Sequence, residues 1–220
     1  MGLNRRLLNI QAISGLSNTD LYGTQVSHFG FEQTATDYEG NNTFTLSNAS
    51  YSTSSFEGNY SLTNSVNGYA STGGDTIRSA MLGGSTGWGI SFWWKDNYID
   101  HTFFYFGSMG IFLEATSQGA DLYLGRWSGS TWNYTFGTGA GRNKNQFWVI
   151  NYDGTTLSVY LNNSLNCSTT SSFTRRANQL WLGLDRNSTG AGAGQRWDAL
   201  RFFNAPLTSA QRTELYQQYP

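Results

Sequence analysis

The chain has 220 residues, 13 Lys and Arg against 14 Asp and Glu, and one cysteine, Cys167. That length can bury a core unaided, a lone cysteine excludes an internally disulfide-stapled module, and a net charge of −1 excludes the basic footprint of a nucleic-acid or anionic-membrane binder. Only 12% of residues are charged while 16% are aromatic, a balance too aromatic for disorder and too poor in charge for a helical bundle, and one that reads as all-β.

Residues 1–23 show no sustained alternation. Leu7, Leu8 and Ile10 are interrupted by Asn9 and Gln11 with no small-residue cleavage site, so no export signal is expected. No run approaches the ~20 apolar residues of a membrane span. This stretch reads as an N-terminal arm that anchors the chain in an assembly, and residues 24–220 read as one domain.

Strands are expected in close succession from Gln25. Gln25–Phe31 is the first, and Thr43–Ser47 places Phe44 and Leu46 on one side. Tyr60–Ser71 follows. Trp88–Lys95 puts Ile90, Phe92 and Trp94 on one face and Trp93 on the other. Thr102–Phe106 and Gly110–Glu114 come next, then Asp121–Trp127 and Thr131–Phe136 around the turn residues Ser128, Gly129 and Ser130. Gln146–Tyr152 and Thr155–Leu161 flank Asp153-Gly154, which predicts a tight hairpin with positive φ at both positions. Asn162-Asn163 marks another turn, and Gln179–Leu184 and Arg196–Phe203 complete the set. Thr208-Ser209-Ala210-Gln211 is a capping-box pattern that predicts a short C-terminal helix outside the sheets. Seven Asn-x-Ser/Thr triplets, at Asn41, Asn48, Asn59, Asn133, Asn162, Asn166 and Asn187, follow from the Asn- and Ser-rich composition.

Four blocks in order carry a family resemblance. They are Val26–Asn42 with its Asp37-Tyr38-Glu39-Gly40-Asn41-Asn42 loop; Tyr60–Tyr69 with Ile90–Lys95; Phe147–Asn162; and Leu180–Gly183 with Trp197–Leu207 and Glu214-Leu215-Tyr216. Over residues 25–220 the chain resembles the laminin G-like, concanavalin A-like jelly rolls of the bacterial and phage branch. The resemblance implies a two-sheet antiparallel β-sandwich. The chain departs from it at Asn67-Gly68-Tyr69, where relatives often carry Asn-Asp-Tyr, and at Asn162-Asn163, where they often carry Asn-Gly.

The paired-carboxylate spacing of a glycosidase does not occur, and neither does a nucleophile elbow or a phosphate-binding loop. A non-enzymatic protein is expected. Two binding sites are candidates. The oxygen-rich loop with Asp37 and Asn42 suits Ca²⁺, and some relatives tie it to an acidic residue in the last strand, which here is Asp198. Trp127 and Trp132 bracket a hairpin tip beside Arg126 and Tyr134. Aromatic rings stack on the C–H faces of sugars while neighbouring polar groups meet their hydroxyls, so these four form a candidate carbohydrate platform. Trp93, Trp148, Trp181 and Trp197 are expected in the core. His28, His101 and Cys167 are expected to have structural roles. The uncharged surface and the arm suggest a virion accessory protein (a phage capsid decoration or a tail or fibre component). Such a protein would sit at the particle surface as a homo-oligomer or assembly subunit and contact other virion proteins through residues 1–23. The alternative is a lectin-like module that attaches to cell-surface glycans or polysaccharide.

Overall fold

The computed structural model describes residues 23–83, 87–95, 101–115, 121–139, 144–170, 172–184 and 194–218. The strands are β1 (Gln25–Phe29), β2 (Thr45–Ser52), β3 (Ser61–Thr72), β4 (Trp88–Lys95), β5 (His101–Phe106), β6 (Ile111–Ala115), β7 (Asp121–Trp127), β8 (Trp132–Thr138), β9 (Asn145–Tyr152), β10 (Leu157–Leu161), β11 (Ser164–Thr169), β12 (Leu180–Leu182) and β13 (Arg196–Phe203). Two helices join them, α1 (Asp75–Leu82) and α2 (Ser209–Gln217). The strands form one antiparallel ladder in the order β11-β10-β9-β4-β13-β3-β12-β5-β6-β7-β8, with β1 on β13 and β2 on β3.

The ladder doubles over on itself. Phe92 on β4 stacks on Phe104 of β5 at 5.2 Å, and Trp94 stacks on Phe103 at 4.1 Å. Three strands separate β4 from β5 along the ladder, so these rings meet only because two layers face each other. Each such pair contributes ~0.5–1.5 kcal/mol beyond its buried area. Strand β13 joins the layers. Arg196 and Trp197 pair with β3, and Leu200 to Phe203 pair with β1 on the same edge. Between them the register shifts at Asp198 to Arg201, and Ala199 takes φ 48. The far ends of the ladder are tied by one side chain. Asn166 on β11 accepts from Thr138 N at 3.1 Å and donates to Thr138 O on β8, standing in for a strand's own amide.

Helix α2 has the predicted capping box, with Gln211 N donating to Thr208 Oγ1 and Thr208 N to Gln211 Oε1. Through Leu215 it covers an outer apolar patch of Trp93, Phe147 and Val149. There Trp93 stacks between Phe56 at 5.1 Å and Tyr216 at 5.9 Å. Trp148 and Trp197 lie in the core as expected. Trp181 does not. It is half-buried on the outer face, stacked on Tyr105, because β12 puts Leu180 and Leu182 inward and the residue between them outward.

Two turns exchange roles relative to expectation. Asp153 keeps negative φ, and its Oδ1 accepts from Thr155 N and Thr156 N, so strand β10 begins only at Leu157. The paired positive φ values fall instead at Asn162 (49) and Asn163 (66), and they turn the chain into β11, a strand absent from the expected set. Helix α1 is also new. It has no side-chain cap and buries only Ile77 and Met81, too thin a pattern to stand out between Gly pairs. The N-terminal arm lies outside the described residues except for Gly23.

Candidate functional site

The aromatic hairpin lies on the outer face of β12, β5, β6, β7 and β8. Ladder register aligns Trp181, Tyr105, Phe112, Gly125 and Tyr134 as direct cross-strand neighbours, with Trp127 opposite Trp132 one step along. The rings touch in sequence. Trp127 meets Trp132 at 5.4 Å, Trp132 meets Phe112 at 4.8 Å, and Phe112 meets Tyr134 at 6.0 Å. Tyr123 lies 6.2 Å from Tyr134 and 5.0 Å from Phe136. Tyr105 and Phe112 form a buried floor, Trp127 and Trp132 are half-buried above it, and Tyr134 and Phe136 are 40% and 65% exposed.

Gly125 is the gap that lets the floor lie flat. A Cβ there would sit 2.0 Å from Phe112 Cε1, so the Phe112 ring fills the space that a side chain would take. The segment Thr174–Ala177 borders the platform. Thr174 N donates to Trp127 O at 2.7 Å and Arg176 N to Gly107 O at 2.9 Å. The Arg176 guanidinium stands 5.1 Å from the Trp127 ring and 5.2 Å from the Trp132 ring, a cation–π arrangement. Arg175 turns the other way and forks onto Asp75 of α1 through Nε and Nη2 at 3.0 and 2.6 Å.

Of the four residues expected in the platform, Trp127, Trp132 and Tyr134 come together and Arg126 does not. Side chains alternate across a strand. Leu122, Leu124 and Arg126 therefore point inward while Tyr123 and Trp127 point outward. Arg126 is 3% exposed, and its Nη2 donates to Thr135 Oγ1 at 3.1 Å. Burial lowers its pKa. Arg176, from a distant segment, takes the place expected for Arg126. Phe112, Gly125 and Phe136 were also unforeseen. The strand alternation that ends at Trp132 and Tyr134 was the available signal for Phe136.

The residues expected around calcium divide into two groups. Asp37 Oδ1 accepts from Asn41 N and Asn42 N, and its Oδ2 accepts from Ser27 Oγ and Asn42 Nδ2 at 2.7 Å. Burial opposes ionisation there, but the hydrogen bonds from Asn42, Ser27 and Asn41 outweigh it and hold the carboxyl below its ordinary range. Asp198 serves another loop. Its Oδ2 accepts from Phe56 N at 2.7 Å and Glu57 N at 2.8 Å, and its Oδ1 accepts from Ala199 N at 2.8 Å. Burial pushes this carboxyl well up, against those N–H groups. Asp37 has all four lone-pair positions occupied by donors and Asp198 is turned to a different loop, so the two carboxylates do not form a cation site as they stand. Among the described residues no cluster of three or more His, Cys, Asp or Glu is arranged to hold a metal.

His28 is busier than expected. Its Nε2 lies 2.8 Å from Glu57 Oε2 and 3.2 Å from Arg201 Nε, while Arg201 Nη2 pairs with Glu57 Oε1 at 3.1 Å. Burial and the Arg201 charge lower the imidazole pKa. Cys167 is buried, and burial pushes its thiol up to about 11, the state of an unreactive structural cysteine.

The strands make a double-layered antiparallel all-β fold with an aromatic outer face. The chain is similar to domain 4 of AbnA, a GH43 extracellular arabinanase from Geobacillus stearothermophilus, solved in complex with arabinotriose. The TM-score is 0.66 and the identity 19%, over 88% of this chain and 98% of that one. It is also similar to the receptor binding domain of the botulinum neurotoxin C/D mosaic serotype, with TM-score 0.69 and 14% identity over 89% of this chain and 51% of that one. A third is a chain from botulinum neurotoxin type C, whose cell entry depends on interaction with two ganglioside molecules. It has TM-score 0.69 and 12% identity, over 91% of this chain and 52% of that one. This chain thus spans about half the length of the toxin chains and nearly all of the arabinanase domain. No family model and no curated protein matches the sequence. No described helix is long and apolar enough to cross a membrane.

Proposed function

We propose that this protein is a non-catalytic carbohydrate-binding module whose ligand lies on the Trp127, Trp132 and Tyr134 platform. The observation that carries this reading is the ring cluster itself, with Trp127 and Trp132 5.4 Å apart on an outer sheet face and a guanidinium beside both. A large aromatic surface left half open suits the apolar face of a pyranose or furanose, and Arg176 suits its hydroxyl oxygens. Support comes also from the similar arabinanase domain, solved with a trisaccharide bound.

The narrower expectations rank behind it. Membership of the laminin G-like branch rests on the four sequence blocks. The virion accessory role rested on low charge and on residues 1–23, of which only Gly23 is described; glycan binding stands ahead of it because the platform and the similar folds bear on glycans. The test is a glycan array read with the wild type and with Trp127→Ala and Trp132→Ala. We expect selective binding by the wild type, lost at least tenfold in each variant. A flat wild-type array, or binding unchanged in both variants, refutes the reading.

A further inference from the structure

The platform does not end at the hairpin tip. Trp132, Tyr134 and Phe136 stand at alternate positions of β8 and all point outward, so three rings follow one another along a single strand at steps of ~6.8 Å. Buried or half-buried rings brace each step. Phe112 bridges Trp132 to Tyr134 at 4.8 and 6.0 Å, and Tyr123 bridges Tyr134 to Phe136 at 6.2 and 5.0 Å. Exposure rises along the row, from half-buried Trp132 through Tyr134 at 40% to Phe136 at 65%.

A phenyl ring this open on a sheet face costs hydration free energy and contributes little to the core. Its placement in line with two other rings gives the row a direction. Asn133 and Thr135 alternate to the opposite face, and the outward positions of β7 and β8 beside the row, Tyr123, Gly125 and Trp127, are uncharged. A single terminal sugar would need one ring or two. A row of three calls for a ligand that repeats, with apolar faces presented at intervals; the one guanidinium at its Trp132 end, Arg176, is the donor already assigned to hydroxyl oxygens.

We propose that β8 binds an extended neutral polysaccharide chain lying parallel to the strand, with separate sugar units on Trp132, Tyr134 and Phe136. The inference rests on the carbohydrate reading above and adds the class of glycan, a linear uncharged polymer engaged along its length, together with Phe136 as a specificity-determining contact.

The test is isothermal titration of the full chain with linear neutral arabino- and xylo-oligosaccharides, from disaccharide to hexasaccharide, and affinity electrophoresis in gels containing soluble arabinan, xylan or β-glucan. The expected result is affinity that rises about tenfold with chain length and then levels off. Phe136→Ala should abolish that rise and leave disaccharide binding unchanged, Phe136→Tyr should restore it, and Trp132→Ala should weaken every length. Thermal melts confirm that each variant folds. Equal affinity at every length, or Phe136→Ala lowering short and long ligands alike, overturns the inference while the carbohydrate reading stands. Binding confined to acidic oligosaccharides overturns it too. So does glycan-independent dimerisation in sedimentation that Phe136→Ala removes, since the row would then be a contact between copies. Silence of all oligosaccharides together with a flat array removes both readings.

Discussion

Gly125→Ala tests the construction of the platform without touching a residue that a ligand would meet. Gly125 has no need of a left-handed backbone, so the only objection to a methyl group is space. The added Cβ would stand 2.0 Å from Phe112 Cε1, 2.2 Å from its Cζ and 2.6 Å from its Cδ1. The ring cannot turn aside freely, since Trp132 packs against it at 4.8 Å and Tyr134 at 6.0 Å. Overpacking of this kind costs ~1–3 kcal/mol, and replacing a strand glycine returns ~0.5–1 kcal/mol. The net expectation is a loss of about 0–2.5 kcal/mol, read by urea denaturation at constant m. Glycan affinity should fall further than stability implies, because the displaced Phe112 ring tilts the two rings above it. A second-site change, Phe112→Leu, should couple favourably with Gly125→Ala in a double-mutant cycle by about 1 kcal/mol. If Gly125→Ala is neutral in both assays, Phe112 does not hold the platform and the argument from the glycine fails.

Three further outcomes are expected. Asp198→Ala leaves the N–H groups of Phe56, Glu57 and Ala199 without their acceptor; the loss should be about 3 kcal/mol in chemical denaturation, and a change below 1 kcal/mol would mean that the loop closes without it. His28 has a folded pKa below its ordinary 6.5, so under acid the unfolded chain takes up a proton that the folded chain refuses. Stability from this group is therefore complete above pH 6.5 and is lost as pH falls below it, at up to ~1.4 kcal/mol per pH unit; the stability gap between wild type and His28→Gln should narrow from pH 7.5 to 5.5, and a constant gap would disprove it. Because donors fill the Asp37 carboxylate, the melting temperature should be the same in EDTA and in millimolar calcium, and a rise with calcium would restore the ion to that loop.

Period-two alternation was the most legible signal in the chain. Trp88–Lys95 and Asp121–Trp127 have the expected bounds because their inward residues are large and regularly spaced, and Arg196–Phe203 keeps its expected bounds despite the break at Ala199. The same rule, applied one residue further, places Arg126 inside when Trp127 is outside, so that error was avoidable. Other features were not legible. The choice between Asp153-Gly154 and Asn162-Asn163 as the tight turn depends on whether an aspartate spends its carboxylate on its own loop, and both dipeptides allow it. Pairing of β13 with both β3 and β1 depends on the break at Ala199, and neither strand's sequence encodes its partner.

The aromatic face shows where sequence reading stops for physical reasons. A strand's own residues announce which way its side chains point, so Trp127, Trp132 and Tyr134 could be grouped from one hairpin. Phe112 reaches them from β6, and Arg176 from a segment that follows β11. Those contacts exist only because five strands lie in register, and register is a property of the assembled ladder. Gly125 is the extreme case, since its contribution is the absence of a side chain under a ring thirteen residues earlier. A glycine in a strand reads from sequence as a weakness or a bulge, whereas in the fold it leaves room for the Phe112 ring under the proposed platform. The low charge that first suggested a neutral contact surface therefore acquires a location. The open rings of β8 are where such a surface would meet an uncharged partner, and the loss of glycan binding in Gly125→Ala would tie that surface to the fold beneath it.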